Sequence, residues 1–123
     1  MKPTTAVLGY CFGGTVALEI VRSGLAMQGF VSFHGGLSMP EGQDYSKTDG
    51  EVLVFHGAAD QMIKMTAFAD LANQLAQHHV DHEMINYGGA DHAFTVFNGK
   101  RYDAVADSRY WQRFSNFQAS KLK

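Results

Sequence analysis

A single cysteine in 123 residues excludes an internal disulfide and leaves one thiol free for chemistry. That usage fits a reducing compartment, so a cytoplasmic location is expected. Charge of neither sign is in excess: ten Lys and Arg against twelve Asp and Glu give a formal net charge of −2. The chain therefore lacks the basic field that nucleic acid or an anionic membrane surface would need, and it has no acidic tail. No apolar run approaches the length of a membrane span, and no charged start leads into an apolar signal segment. Internal repeats, low-complexity tracts and linkers are also missing, which points to one domain over residues 1–123. The glycines form neither a phosphate-loop nor a dinucleotide pattern, and no cofactor is expected.

What is present is a hydrophobic content of 46%, enough for a real core. The organising stretch runs from Thr5 to Val21 and joins a short apolar run to a helical pattern through a glycine-crowded turn with Cys11 at its apex. Gly9, Cys11 and Gly13 fit a G-x-nucleophile-x-G strand–turn–helix, in which the nucleophile sits on strained backbone and small neighbours let the chain reverse. At the first turn of a helix the unpaired N–H groups and the dipole favour thiolate, so Cys11 is expected to be more reactive than a free cysteine. The N–H of Phe12 would face the oxyanion formed when a carbonyl is attacked. The plainer reading of Cys11 is a buried structural cysteine beside a packing turn.

Further along, Gly29–Phe33, Glu51–Phe55 and His82–Tyr87 read as strands after the first, Ala6–Leu8. Helices are expected from Phe12, over Thr66–His79 and over Ala104–Phe117. Their inward residues are read as Val16, Ala17, Ile20 and Val21; Phe68, Leu71, Ala72 and Leu75; and Val105, Tyr110, Trp111, Phe114 and Phe117. His34 to Gly50 is Gly-rich and polar and reads as a loop with room for one short helical turn. Strands alternating with helices imply parallel βαβ units: an α/β fold with a mainly parallel sheet of about four strands and flanking helices.

In such sheets functional groups collect beyond the carboxyl ends of the strands. Cys11, Asp60 and His92 each follow a different strand there, in the chain order nucleophile, acid, histidine. His92 would take the thiol proton, Asp60 would orient the imidazole, and acyl transfer would pass through a thioester. Asp60 can also be read as a turn-forming aspartate, and Asp91 is the weaker candidate acid. His78, His79 and His82 fall near a helix end, where histidines suit the dipole better than a metal. His34-Gly35-Gly36 reads as a strand-end turn, because a lipase-like oxyanion loop would precede the nucleophile strand. His56 is expected to pack beside the acid loop.

Three segments carry a family likeness: Gly9-Tyr-Cys-Phe-Gly-Gly14, Phe55-His-Gly-Ala-Ala-Asp60 and Tyr87-Gly-Gly-Ala-Asp-His-Ala-Phe94. With the C-terminal Ala106-Asp-Ser-Arg-Tyr-Trp-Gln-Arg-Phe114, they resemble the dienelactone hydrolase family of cysteine-dependent α/β hydrolases. The resemblance implies a truncated α/β-hydrolase-like fold, catalysis by Cys11, His92 and Asp60, and hydrolysis of small esters, lactones or thioesters without metal or organic cofactor. It extends only to the family's C-terminal half. The resemblance implies that the strands before the nucleophile strand are missing, and with them a second oxyanion donor and a carboxylate that contacts the resting cysteine. Some members carry an arginine for an anionic substrate just after His-Ala-Phe, where this chain has Thr95-Val-Phe-Asn-Gly99. The first strand would then lie at a sheet edge, so a homo-oligomer, built through that strand, is expected. The rival reading is a non-catalytic assembly or binding module with a relic triad, and a fragment of a longer chain is a third.

Overall fold

The computed structural model describes residues 4–122. Four strands, β1 (Ala6–Tyr10), β2 (Gly29–Phe33), β3 (Glu51–Gly57) and β4 (His82–Tyr87), form one sheet in the order β1-β2-β3-β4. All three pairings are parallel. Helix α1 (Phe12–Ser23) links β1 to β2, α2 (Met65–Gln77) links β3 to β4, and α3 (Ala104–Lys121) closes the chain. The strands extend a little beyond their expected ends: β1 reaches Tyr10 and β3 reaches Gly57.

Strand side chains alternate between faces, and the two cores divide accordingly. Phe30, Val52 and Val54 pack with Leu18 and Val21 of α1 and Leu71 and Leu75 of α2. Val31, Phe33, Leu53 and Phe55 point the other way, onto Ala106, Tyr110, Phe114 and Phe117 of α3. Every residue of β2 is buried, as an inner strand covered on both faces requires. Each fully buried Phe or Leu contributes about 1.5–3 kcal/mol, so these two layers supply most of what holds the sheet flat against its helices.

Three helix positions differ from the expected stripes. Val16, Val105 and Trp111 are exposed, and Leu18 and Ala106 are buried. The exceptions lie in α1 and α3, whose outer sides also carry apolar groups that period alone cannot tell from core, while Leu71 and Leu75 of α2 are buried as expected. Residues 34–50 contain no helix. They are nonetheless fixed: the buried Arg22 guanidinium donates to Gln43 Oε1 at 2.7 Å, Tyr45 Oη at 2.8 Å and Glu19 Oε2 at 2.7 Å, and Tyr45 is fully buried.

One aromatic ladder runs across the sheet near its carboxyl end. Tyr10 stacks on Phe33 with ring centroids 4.1 Å apart, Phe33 on Phe55 at 5.2 Å, and Phe55 on Tyr87 at 6.3 Å. Tyr110 of α3 meets Phe33 and Phe55 edge-on, at 5.2 and 5.7 Å, the geometry that ring quadrupoles favour. The residue after each of the first three rungs is Cys11, His34 or His56. The ladder is therefore the floor on which the polar cluster stands.

Candidate active site

Cys11 caps the N-terminus of α1 with φ 54° and ψ −119°. Its own N–H bonds the carbonyl of Phe33 at 3.0 Å, and its carbonyl accepts from Gly14 and Thr15, which fixes the turn from both sides. The reversal depends on absent side chains. A Cβ on Gly9 would collide with the carbonyl of Gly13, and one on Gly14 would meet Ser32 Oγ at 2.6 Å. A Cβ on Gly13 would meet nothing within 4 Å, so the crowding that the motif implies is at Gly9 and Gly14, and Gly13 has space to spare. Phe12, the first helical residue, has an N–H without an intrahelical acceptor, and its side chain is exposed.

His92 lies beyond β4, and its ring is held by Asp60 beyond β3: Nδ1 stands 2.8 Å from Asp60 Oδ2. The Asp60 carboxylate is fully buried and the His92 ring nearly so. Asp60 also serves the turn, since Oδ1 accepts the N–H groups of Met62 and Ile63, each at 2.8 Å. Burial pushes its pKa up, but the hydrogen bonds from Ile63, His92 and Met62 outweigh that and hold the carboxyl below its ordinary value. Asp60 thus divides its oxygens, one accepting from the turn and the other facing the His92 ring. Asp91 does not compete: Oδ1 accepts from the N–H of His92 at 2.6 Å and Oδ2 faces Arg101 at 3.9 Å.

His34 is the site residue that motif reasoning overlooked. It follows β2, is fully buried, and sits at φ 40° with its N–H on the carbonyl of Phe55 at 2.8 Å. Its Nδ1 lies 3.3 Å from Cys11 Sγ and its Nε2 2.7 Å from Thr95 Oγ1. Its ring also stands edge-on to that of His92, with centroids 5.6 Å apart. One donor atom each from Cys11, His34 and His92 lie within 4.8 Å of one another. Thr95 thus occupies the stretch where the resemblance looked for a substrate-binding arginine. The signal for His34 was available in the strand order, because Tyr10 pairs with Phe33 in adjacent parallel strands and the residues after them must be neighbours.

Electrostatically the cluster holds an uncharged second imidazole. Burial, reinforced by the neighbouring His92, lowers the His34 pKa to about 4, so its ring is neutral at physiological pH. Burial and then the Asp60 carboxylate push the Cys11 thiol above its ordinary range. This departs from the expectation of a thiolate favoured by the helix terminus: the resting sulfur keeps its proton until a base takes it. Strain also gathers here. Of five non-glycine residues at positive φ among the described residues, Cys11, His34 and Ala93 surround the site.

The remaining histidines stay apart. His56 is buried under Phe68, with ring centroids 5.2 Å apart, while His78 caps the C-terminus of α2 and His82 Nδ1 lies on the carbonyl of Val80 at 2.7 Å. No helix among the described residues is long and apolar enough to cross a membrane.

Comparison with known proteins identifies the fold and the family. A "Probable 2-oxo-3-(5-oxofuran-2-ylidene)propanoate lactonase" from Bradyrhizobium sp. is 31% identical over 85% of this chain and 46% of its own length. A curated relative from Synechocystis sp. is 27% identical over 100% of this chain and 53% of its own. The chain therefore spans about half the length of the curated relatives it matches. Among solved structures, a dienelactone hydrolase-like promiscuous phosphotriesterase from metagenomic libraries superposes with a TM-score of 0.85 at 32% identity, over 94% of this chain and 52% of that one. An α/β hydrolase from a deep-sea metagenome superposes at 0.78 with 17% identity, over 95% of this chain and 54% of its own, which shows the fold alone. With residues 2–121 matching the family profile as well, the chain belongs to the dienelactone hydrolase family.

Proposed function

We propose that this chain hydrolyses small esters, lactones or thioesters, with Cys11 as nucleophile, His92 as base and Asp60 as the carboxylate that orients it. The supporting observation is that a buried carboxylate fixes one nitrogen of His92 at 2.8 Å while a histidine donor atom reaches within 4.8 Å of the Cys11 sulfur. With Nδ1 taken by Asp60, Nε2 is the nitrogen left for the sulfur. His34 is nearer a hydrogen-bonding distance to Sγ but is the poorer base, because its imidazolium is disfavoured down to pH about 4. His92, beside a carboxylate, can carry the positive charge.

In the first half-reaction Sγ attacks the carbonyl carbon as its proton passes to His92 Nε2. The same proton then goes to the departing alkoxide, leaving a thioester on Cys11. Water, giving its proton to His92, attacks the thioester; the acid departs and the sulfur recovers the proton. The Phe12 N–H supplies one oxyanion donor, and a second donor is worth about a hundred- to a thousandfold in rate. We place that donor on a partner. β1 pairs only with β2 among the described residues, and Leu8, Tyr10, Phe12 and Val16 are exposed there, which supports a homo-oligomer assembled through β1. A lone, unpaired thiol supports a cytoplasmic location as part of this reading.

The test is hydrolysis of short-chain p-nitrophenyl esters by the wild type, Cys11→Ala and His92→Ala. An acylation burst that both substitutions abolish is the expected result. Equal rates in wild type and Cys11→Ala would refute the chemistry and favour a binding module. A monomer by light scattering at micromolar concentration would refute the assembly and leave the chemistry standing.

A further inference from the structure

We propose that Cys11, His34 and His92 form a binding site for a zinc ion, and that occupancy reversibly blocks the nucleophile. A nucleophile–base pair provides two metal ligands. His34 adds a third, which is the ligand count of zinc sites that keep an open position for water or another small ligand.

Both imidazoles are arranged as metal ligands usually are. The nitrogen not needed for the ion is already engaged in each: His92 Nδ1 with Asp60 Oδ2 at 2.8 Å, and His34 Nε2 with Thr95 Oγ1 at 2.7 Å. Such outer partners fix ring orientation and raise ligand basicity, and a carboxylate–histidine–zinc chain is the common form. His34 Nδ1 faces the sulfur, and one nitrogen of His92 lies within 4.8 Å of both. In a tetrahedral site with Zn–S about 2.3 Å and Zn–N about 2.0–2.1 Å, donor atoms lie roughly 3.3–3.6 Å apart. His34 Nδ1 and Cys11 Sγ already meet that spacing at 3.3 Å, and all three donors fall within 4.8 Å. Closing the two sides that involve His92 takes about 1 Å of side-chain movement.

One thiolate and two imidazoles form a borderline-soft set that suits Zn²⁺ and discriminates against Mg²⁺ and Ca²⁺. Binding replaces the thiol proton, which is released to solvent, and commits the sulfur lone pair required for attack. Metal binding does not depend on the acyl-transfer reading; only the inhibitory consequence does.

Titrating the full chain with Co²⁺ provides the spectroscopic probe. One equivalent should bring near-ultraviolet thiolate-to-cobalt absorption and four-coordinate visible bands, both absent in Cys11→Ala. Zn²⁺ should displace the cobalt and protect Cys11 from iodoacetamide. His34→Ala should weaken zinc at least about tenfold, and Thr95→Val, which leaves every ligand in place, by about tenfold. If His34→Ala does not fold, by circular dichroism, Thr95→Val carries the test. Equal protection of wild type and both variants would overturn the proposal, as would cobalt bands that survive Cys11→Ala and vanish in His78→Gln/His79→Gln. Ester hydrolysis and labelling in EDTA report separately on the metal-free nucleophile, so a failure of either reading is recognisable.

Discussion

Nδ1 of His34 and Sγ of Cys11 stand 3.3 Å apart because their residues leave adjacent parallel strands at equivalent positions, just beyond the paired Tyr10 and Phe33. The neutral His34 can donate from Nδ1 to a thiolate while Nε2 accepts from the Thr95 hydroxyl, a chain that supports the charged sulfur without competing for its proton.

Loss of that donor should raise the pH at which Cys11 becomes reactive. A hydrogen bond to a charged group is worth about 1.5–3 kcal/mol, so His34→Ala should move the midpoint of iodoacetamide labelling up by about one pH unit or more. His34→Gln, whose amide can still donate, should recover part of the shift. The measurement is labelling rate against pH in EDTA; superimposable profiles for wild type and His34→Ala would remove the hydrogen bond from the account.

Asp60 divides its two oxygens between turn and imidazole, and this separates stability from activity. Asp60→Asn keeps an oxygen for the Met62 and Ile63 N–H groups but replaces the charge facing His92 Nδ1. Ester turnover should fall by roughly a thousandfold or more, as expected when the orienting carboxylate of such a triad is neutralised. The urea midpoint should fall much less than in Asp60→Ala, which loses the turn as well. Comparable turnover in Asp60→Asn and wild type would deny the carboxylate its orienting role.

How far this was legible follows from where each residue's signal lies. Cys11, Asp60 and His92 sit in turn-forming segments directly after strands, and a parallel sheet brings such segments together whatever the details of packing. His34 occupies an equivalent place but carries a Gly-Gly turn signal that masked it, and Thr95 had no local signal at all. Its partner is 61 residues away, and only the folded loop after β4 places it. Val105 and Trp111 misled for another reason: α3 is apolar on more than the face that Phe114 and Phe117 bury, and periodicity does not reveal which side meets the sheet.

The turn at Cys11 yields a prediction that opposes two glycines of one motif. Gly9→Ala puts a methyl into the backbone of Gly13 and Gly14, which cannot yield without moving α1 off the strand. Overpacking of this kind costs about 1–3 kcal/mol or more. Gly13→Ala meets open space inside a helix, where replacing glycine gains about 0.5–1 kcal/mol. Urea denaturation should place Gly9→Ala well below the wild type and Gly13→Ala at or above it. The reverse order would contradict the close approach seen between Gly9 and α1.

Two buried histidines set the acid limit of the fold. Burial lowers the pKa of His56, and burial aided by His92 lowers that of His34 to about 4, each from an ordinary 6.5. Below pH 6.5 the unfolded chain takes up protons that the folded chain refuses, so stability falls with pH from 6.5 toward the folded values. Asp60, lowered from 3.8, adds its loss only below that value, as its charge is neutralised. Urea midpoints should therefore be level above neutrality and decline from about pH 6.5 downward. Both ring nitrogens of His56 lack a hydrogen-bond partner among the described residues, so an apolar replacement forfeits none. His56→Leu should match or exceed wild-type stability near neutrality and show a shallower decline in acid. A variant that unfolds more readily at neutral pH, or that keeps the wild-type slope, would show that His56 is not a source of the acid sensitivity.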